Sequence, residues 1–173
     1  IYNTYISVDC RKFFRGRTEV NRPVTEQSVA FVKAFAQRNN TEHNLRQLLD
    51  DALNAHHVRT KQAQAGLGVN RYLYVLEEVC RDYADELCLS QQPALFSDPA
   101  YQIMGVNRLS TTSFGHDDMK ACYFPPVVPE GLGIFYKVGE HSFLIDTAFR
   151  CDEAVLEHFN CNLVESVERM LTI

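Results

Sequence analysis

The chain has 173 residues, 46% of them apolar and 23% charged, with a formal net charge of −5. That is the length of about one domain with an ordinary globular composition. The net acidity argues against the clustered basic footprint of a nucleic-acid binder, and no apolar run approaches the ~20 residues that a membrane-spanning helix needs.

Tyr2 to Val8 is rich in β-branched and aromatic residues and reads as a strand. Gly16 marks a bend, and Arg15-Gly16-Arg17-Thr18-Glu19 by itself reads as a solvated turn. Pro23 and Thr25 announce a helix that runs to about Gln37, with Thr25 as N-cap and Val29, Val32 and Phe35 on its apolar face. Asn39-Asn40 breaks it. Thr41 caps a longer second helix, with Leu45, Leu48, Leu49 and Ala52 along one side, which ends at Gly66 or Gly68. Asn70 is placed to cap a third, carried by Leu73, Leu76, Val79, Cys80 and Tyr83. Gln91-Gln92-Pro93 ends that region, and Pro99 and Gly105 punctuate a loop.

The character then changes. Arg108 to Thr112, Ala121 to Phe124, Gly133 to Val138 and Ser142 to Phe149 are short β-rich runs. A last amphipathic helix runs from about Asp152 to Leu171 on Val155, Phe159, Leu163, Val167 and Met170. Strand, three helices, four strands and a helix make an α+β fold with a mixed or antiparallel sheet and flanking helices, in two layers. There is no internal repeat.

The six cysteines, Cys10, Cys80, Cys88, Cys122, Cys151 and Cys161, form no CxxC pair. They read as reduced thiols of an intracellular protein rather than as a zinc site. The chain opens on Ile1 instead of Met, so a piece of a longer polypeptide is expected.

For chemistry, the adjacent hydroxyls Ser110, Thr111 and Thr112 stand out. A hydroxyl aimed at a developing oxyanion supplies what is usually the largest catalytic term, but a proton acceptor is also needed. His56 and His57 point about 100° apart on their helix, so they read as surface residues rather than a shared ligand pair. His116 lies beside Asp117 and Asp118 in a turn-like stretch, and His141 and His158 have no acidic or cysteine partner at a telling spacing. No histidine reads as a general base. Arg71, starting a helix after a glycine-rich approach, is suited to clamp a carboxylate in bidentate fashion.

Four segments, in order and at fitting intervals, carry a resemblance. They are Tyr5 with FFRGRTEVNRPVT, then GLGVNRYLYVL, then FSDPAY followed by RLSTTS, then YFPPVVPEGLGIFY. Together they resemble the C-terminal part of the choline/carnitine acyltransferase family, with its GRT turn, DRHL-type helix start, STS triplet and FGPVVPDGYG segment. The resemblance covers nearly the whole chain, up to the last helix. It implies a chloramphenicol-acetyltransferase-like half domain, and acyl transfer between coenzyme A and the hydroxyl of carnitine. Its general-base histidine belongs to a preceding half not present here, so residues 1–173 alone are expected to be inactive.

Carried over residue by residue, the resemblance puts Tyr5, Thr18 and Arg71 on the carnitine carboxylate, which favours carnitine over choline. Ser110 and Thr112 become the outer members of the triplet, with Thr112 the oxyanion donor. Phe124 lies by the trimethylammonium group, where cation–π attraction suits it. Ser113 and His57 fall at positions that approach coenzyme A. The implied partners are carnitine, acyl-CoA and the N-terminal half of the same polypeptide. Coenzyme A is a co-substrate, and no permanently bound cofactor or metal is implied. The mitochondrion is the expected compartment by family association, with peroxisome and cytoplasm as alternatives.

The chain departs from the family pattern at Asn70, Tyr72, Thr112, Pro125 and Leu132. The departures at Asn70, Thr112 and Pro125 motivate the competing reading of a diverged or truncated, non-catalytic binding or structural domain of the same fold.

Overall fold

The computed structural model describes residues 4–37, 42–113, 120–150 and 152–173. Ile1 to Asn3, the Asn39-Asn40 break, the Thr41 cap, the turn around His116 and Cys151 lie outside the described residues.

Strands β1 (Thr4–Asp9) and β2 (Thr18–Asn21) pair antiparallel. The connection between them is closed by bonds from the Cys10 amide to the Arg17 carbonyl at 3.0 Å and from the Gly16 amide to the Phe13 carbonyl at 2.8 Å. The GRT stretch is therefore a turn only as far as Arg17. Thr18 opens a strand, because its ladder partners lie across the turn in β1, where sequence periodicity over four residues cannot find them.

Helix α1 (Glu26–Ala36) begins at the expected Thr25. The Ser28 amide donates to the Thr25 hydroxyl at 3.1 Å and the Thr25 amide to the Ser28 hydroxyl at 2.8 Å, a reciprocal cap with Ser in place of the usual Glu. Thr25 is buried, so Thr25→Ala is expected to lower stability by about 1 kcal/mol. Thr25→Ser is expected to keep most of it, read as the urea midpoint of each purified variant.

Helix α2 (Glu42–Gln64) ends as expected near Gly66. The Leu67 amide reaches the Gln62 carbonyl and the Gly66 amide reaches Ala63, the Schellman pattern. Helix α3 (Asn70–Asp82) starts one residue earlier than expected, with Val69 at the cap and no local side-chain bond there. Asn70 is therefore not the cap; its side chain turns to Arg22 instead.

The stretch read as a loop holds two short helices, α4 (Ala94–Ser97) and α5 (Pro99–Gly105). Pro99 permits the second because a first-turn residue needs no amide hydrogen, and the Asp98 carboxylate accepts from the Ala100 amide at 2.7 Å.

Strands β3 (Leu109–Thr112), β4 (Leu132–Val138) and β5 (Phe143–Ala148) match three of the four β-rich runs. Ala121 to Phe124 is not a strand. Pro125, Pro126 and Pro129 follow it and cannot donate to a ladder. Helix α6 (Glu153–Met170) starts at Asp152, which caps the Ala154 amide.

The sheet order is β2-β1-β3-β4-β5, parallel at its two inner pairings and antiparallel at both outer ones. The fold is thus α+β with a mixed sheet. One face carries Val8, Asn21, Ile134 and Thr147 and is covered by α2 and α6. The Asn21 amide donates to Thr60 at 2.8 Å, the Cys10 thiol to the Ala63 carbonyl, and the Thr147 hydroxyl to Asn160 at 3.0 Å. Arg169 ties α6 to α1, donating to the Phe35 carbonyl at 2.7 Å with its guanidinium 4.1 Å over that ring. Cys10, Cys80, Cys88, Cys122 and Cys161 are free thiols. Among the described residues no helix is long and apolar enough to cross a membrane.

Candidate functional site

Side chains alternate across a strand, so register partners share a face. Tyr5, Ser110, Gly133 and Ala148 form one row across β1, β3, β4 and β5. Thr112, Phe135 and Asp146 form the next row on the same face. The alternation puts Ser110 and Thr112 together there and turns Thr111 to the opposite, helix-covered face. The outer hydroxyls of the triplet are thus separated from the middle one by the pleat alone.

Ser110 is 4% exposed. The segment after residue 119 crosses this face, and the Phe124 carbonyl rests on Gly133, where any Cβ would overlap it. Gly133 is the register partner of Ser110, so the Phe124 backbone passes over the strand next to Ser110. Thr112 is half-buried at the end of β3. Ser113 follows it, exposed.

At the β2 edge of the sheet, Arg71 sits in the first turn of α3. Its guanidinium donates to Thr18 twice, Nε to the carbonyl and Nη2 to the hydroxyl, each at 3.3 Å. Its backbone amide donates to Glu19 Oε1 at 3.2 Å.

Arg71 and Tyr5 line one cavity of about 400 Å³, which reaches between α3 and α5. Thr18 pairs with Asp9, four residues along β1 from Tyr5, which is about 13 Å of strand. Thr18 therefore stands at the rim, bonded to Arg71, and Tyr5 stands at the wall.

Much of the rest of the cavity lining is polar. Arg22 donates to Asn107 Oδ1 at 2.8 Å and to Asn70 Oδ1 at 3.4 Å, and burial pushes its guanidinium down from its ordinary value. The Tyr101 hydroxyl donates to Glu77 Oε2 at 3.1 Å. Desolvation first, and then the Glu77 carboxylate, push that phenol up. A guanidinium with a hydroxyl at the mouth is chemically a site for an anion, and a carboxylate fits its fork.

The structure thus joins Thr18 and Arg71 at the rim of the cavity, and puts Tyr5 on its wall in register with Ser110, on the face that also carries Thr112 and is crossed by the Phe124 backbone. His57 does not join them. It is exposed on α2, the helix packed on the opposite face, while its neighbour His56 is half-buried and meets the Asn21 amide at 3.5 Å. The sequence reading missed Glu19, Arg22, Glu77 and Tyr101. Glu19 and Tyr101 stood inside the quoted segments GRTE and FSDPAY, yet their partners lie 52 and 24 residues away.

The family model for choline/carnitine O-acyltransferases matches residues 1–165. The chain is 35% identical over 138 residues to the mitochondrial carnitine O-palmitoyltransferase 2 of Rattus norvegicus, a match covering 78% of this chain and 20% of that protein. It is 34% identical over 134 residues to the carnitine O-acetyltransferase of Homo sapiens, covering 77% of this chain and 20% of that protein. It is 31% identical over 159 residues to the choline O-acetyltransferase of Rattus norvegicus, covering 87% of this chain and 23% of that protein. The chain spans between a fifth and a quarter of the length of these relatives.

Proposed function

Because the chain belongs to the choline/carnitine O-acyltransferase family, we propose that it is the carnitine-binding portion of a carnitine O-acyltransferase. The observation that carries this reading is Arg71, held on Thr18 at the mouth of the cavity that Tyr5 also lines. Carnitine has a carboxylate to offer that cradle, and choline has none.

In the proposed reaction the carnitine hydroxyl oxygen attacks the thioester carbon of acyl-CoA and gives its proton to a histidine base. The carbonyl oxygen of the tetrahedral adduct accepts a hydrogen bond from Thr112, beside Ser110. The carbon–sulfur bond then breaks, and the coenzyme A sulfur takes the proton back. Phe124, on the same face, suits the trimethylammonium group. Coenzyme A enters as a co-substrate, near Ser113, and the reaction needs no resident cofactor.

The base is assigned to the remainder of a longer polypeptide. Among the described histidines, His56 turns to Asn21 and His158 bonds Asn162, while His43, His57 and His141 are exposed on the surface. Surface area supports a missing partner. The chain exposes 12574 Å², whereas a compact monomer of 19.8 kDa exposes about 8,600 Å². Tyr72, Tyr74 and Val75 on α3 and Tyr123 and Val127 on the crossing segment are among the exposed apolar residues. The mitochondrial carnitine O-palmitoyltransferase 2 among the relatives favours that compartment.

The test is acyl exchange from acyl-CoA by the complete polypeptide, with carnitine and choline compared as acceptors. Turnover preferring carnitine is expected, and a preference for choline would overturn the assignment. Arg71→Ala is expected to raise KM for carnitine about 10- to 150-fold, the loss of a charged hydrogen-bonded contact. An unchanged KM would sink the clamp.

A further inference from the structure

We infer that Glu19 is the positioning residue of the carboxylate clamp, an inference that rests on the reading of Arg71 above. Glu19 is 8% exposed and lies on the opposite face of β2 from Thr18. Such a carboxyl is rarely buried without partners, and its partners here are specific. Oε1 accepts from the Val20 amide at 2.7 Å and from the Arg71 amide at 3.2 Å.

The Arg71 amide belongs to the first turn of α3, where backbone N–H groups have no partner within the helix. The helix's own cap, Val69, contributes no side-chain bond. Glu19 supplies that acceptor from 52 residues away, and its charge suits the positive end of the helix. Two consecutive residues therefore hold Arg71 at both ends. Glu19 pins its backbone amide, and Thr18 takes its guanidinium. A long side chain anchored at its root and at its tip keeps the fork aimed, which lowers the ordering cost of binding.

The loop before α3 is shaped around the same carboxyl. A Cβ at Gly68 would overlap the Glu19 side chain, so only glycine lets the chain pass this close. The departure at Asn70 is thereby explained: support for Arg71 comes from β2, and Asn70 is committed to Arg22.

The experiment is steady-state kinetics of the complete polypeptide with Glu19→Ala, Glu19→Gln, Gly68→Ala and Arg71→Ala, and the Glu19→Ala/Arg71→Ala double variant. Glu19→Ala is expected to raise KM for carnitine on the order of tenfold. The kcat and the KM for acyl-CoA should stay within about twofold, because neither depends on the clamp. Glu19→Gln keeps an acceptor oxygen and should restore most of the loss. Gly68→Ala displaces the carboxyl from the loop side and should raise the same KM, which covers the case of a Glu19→Ala protein that fails to fold. In the double variant the Glu19 effect should vanish. Were Arg71→Ala to raise KM while Glu19→Ala and Gly68→Ala did not, the clamp would stand and its positioning by Glu19 would be wrong. An equal fall of kcat on every substrate would reduce Glu19 to a purely structural role. An unchanged KM in Arg71→Ala would remove the clamp and this role with it.

Discussion

Thr112→Val is expected to lower kcat by about 10²- to 10³-fold, the loss of roughly 2.7–4 kcal/mol that removal of one oxyanion donor costs. Thr112 ends β3 on the face that also carries Ser110. Valine keeps the β-branched shape that suits a strand, so the sheet should persist while the donor disappears. KM for carnitine should change little, because the contact is made to charge that develops only in the transition state. Thr112→Ser, which keeps the hydroxyl, should retain most of the rate. The measurement is initial velocity at saturating carnitine and acyl-CoA in the complete polypeptide. A full rate from Thr112→Val together with a collapse in Ser110→Ala would transfer the role to the buried hydroxyl one pleat away.

What could be read from the sequence was what local chemistry determines. Thr25 and Asp152 sit at the starts of their helices because a capping side chain needs only the next turn. The division of the triplet also follows from a period of two along one strand, which places Ser110 and Thr112 together whatever the strand's neighbours are. Four strands, β1, β3, β4 and β5, were legible because each is a run rich in β-branched and aromatic residues.

What was hidden depends on partners far along the chain. β2 is four residues long and exists through its pairing with β1 across a turn. Ala121 to Phe124 has strand-like side chains, yet the prolines that follow and the seat of Phe124 on Gly133 turn it into a crossing segment. Pro99 reads as a break until Asp98 is seen capping the turn it begins. Within the site, Arg71 could be singled out as a cation after glycines, but Glu19 could not. Its amide partner lies 52 residues away, and nothing in the spacing of GRTE announces it.

Phe135→Ala is expected to remove about 3–5 kcal/mol of stability, the usual cost of emptying an aromatic position in a core. Phe135 is 1% exposed and is the largest fully buried side chain among the described residues. It stands on the site face, not on the face covered by α2 and α6, in register between Thr112 and Asp146. The hydroxyl end of the site is thus backed by close-packed aromatic volume in the neighbouring strand. Loss of that volume should loosen the row in which Thr112 sits, so kcat is expected to fall along with stability. Phe135→Leu, which refills most of the space, should lose less of both. The urea midpoint at constant slope gives the stability change, and rates at a temperature where each variant is still folded give the rest. A total stability of about 5–15 kcal/mol leaves little margin for such a loss. A midpoint shift worth less than about 1 kcal/mol would mean that this face is supported by other contacts. The same packing that hides Phe135 would then have no part in holding Thr112.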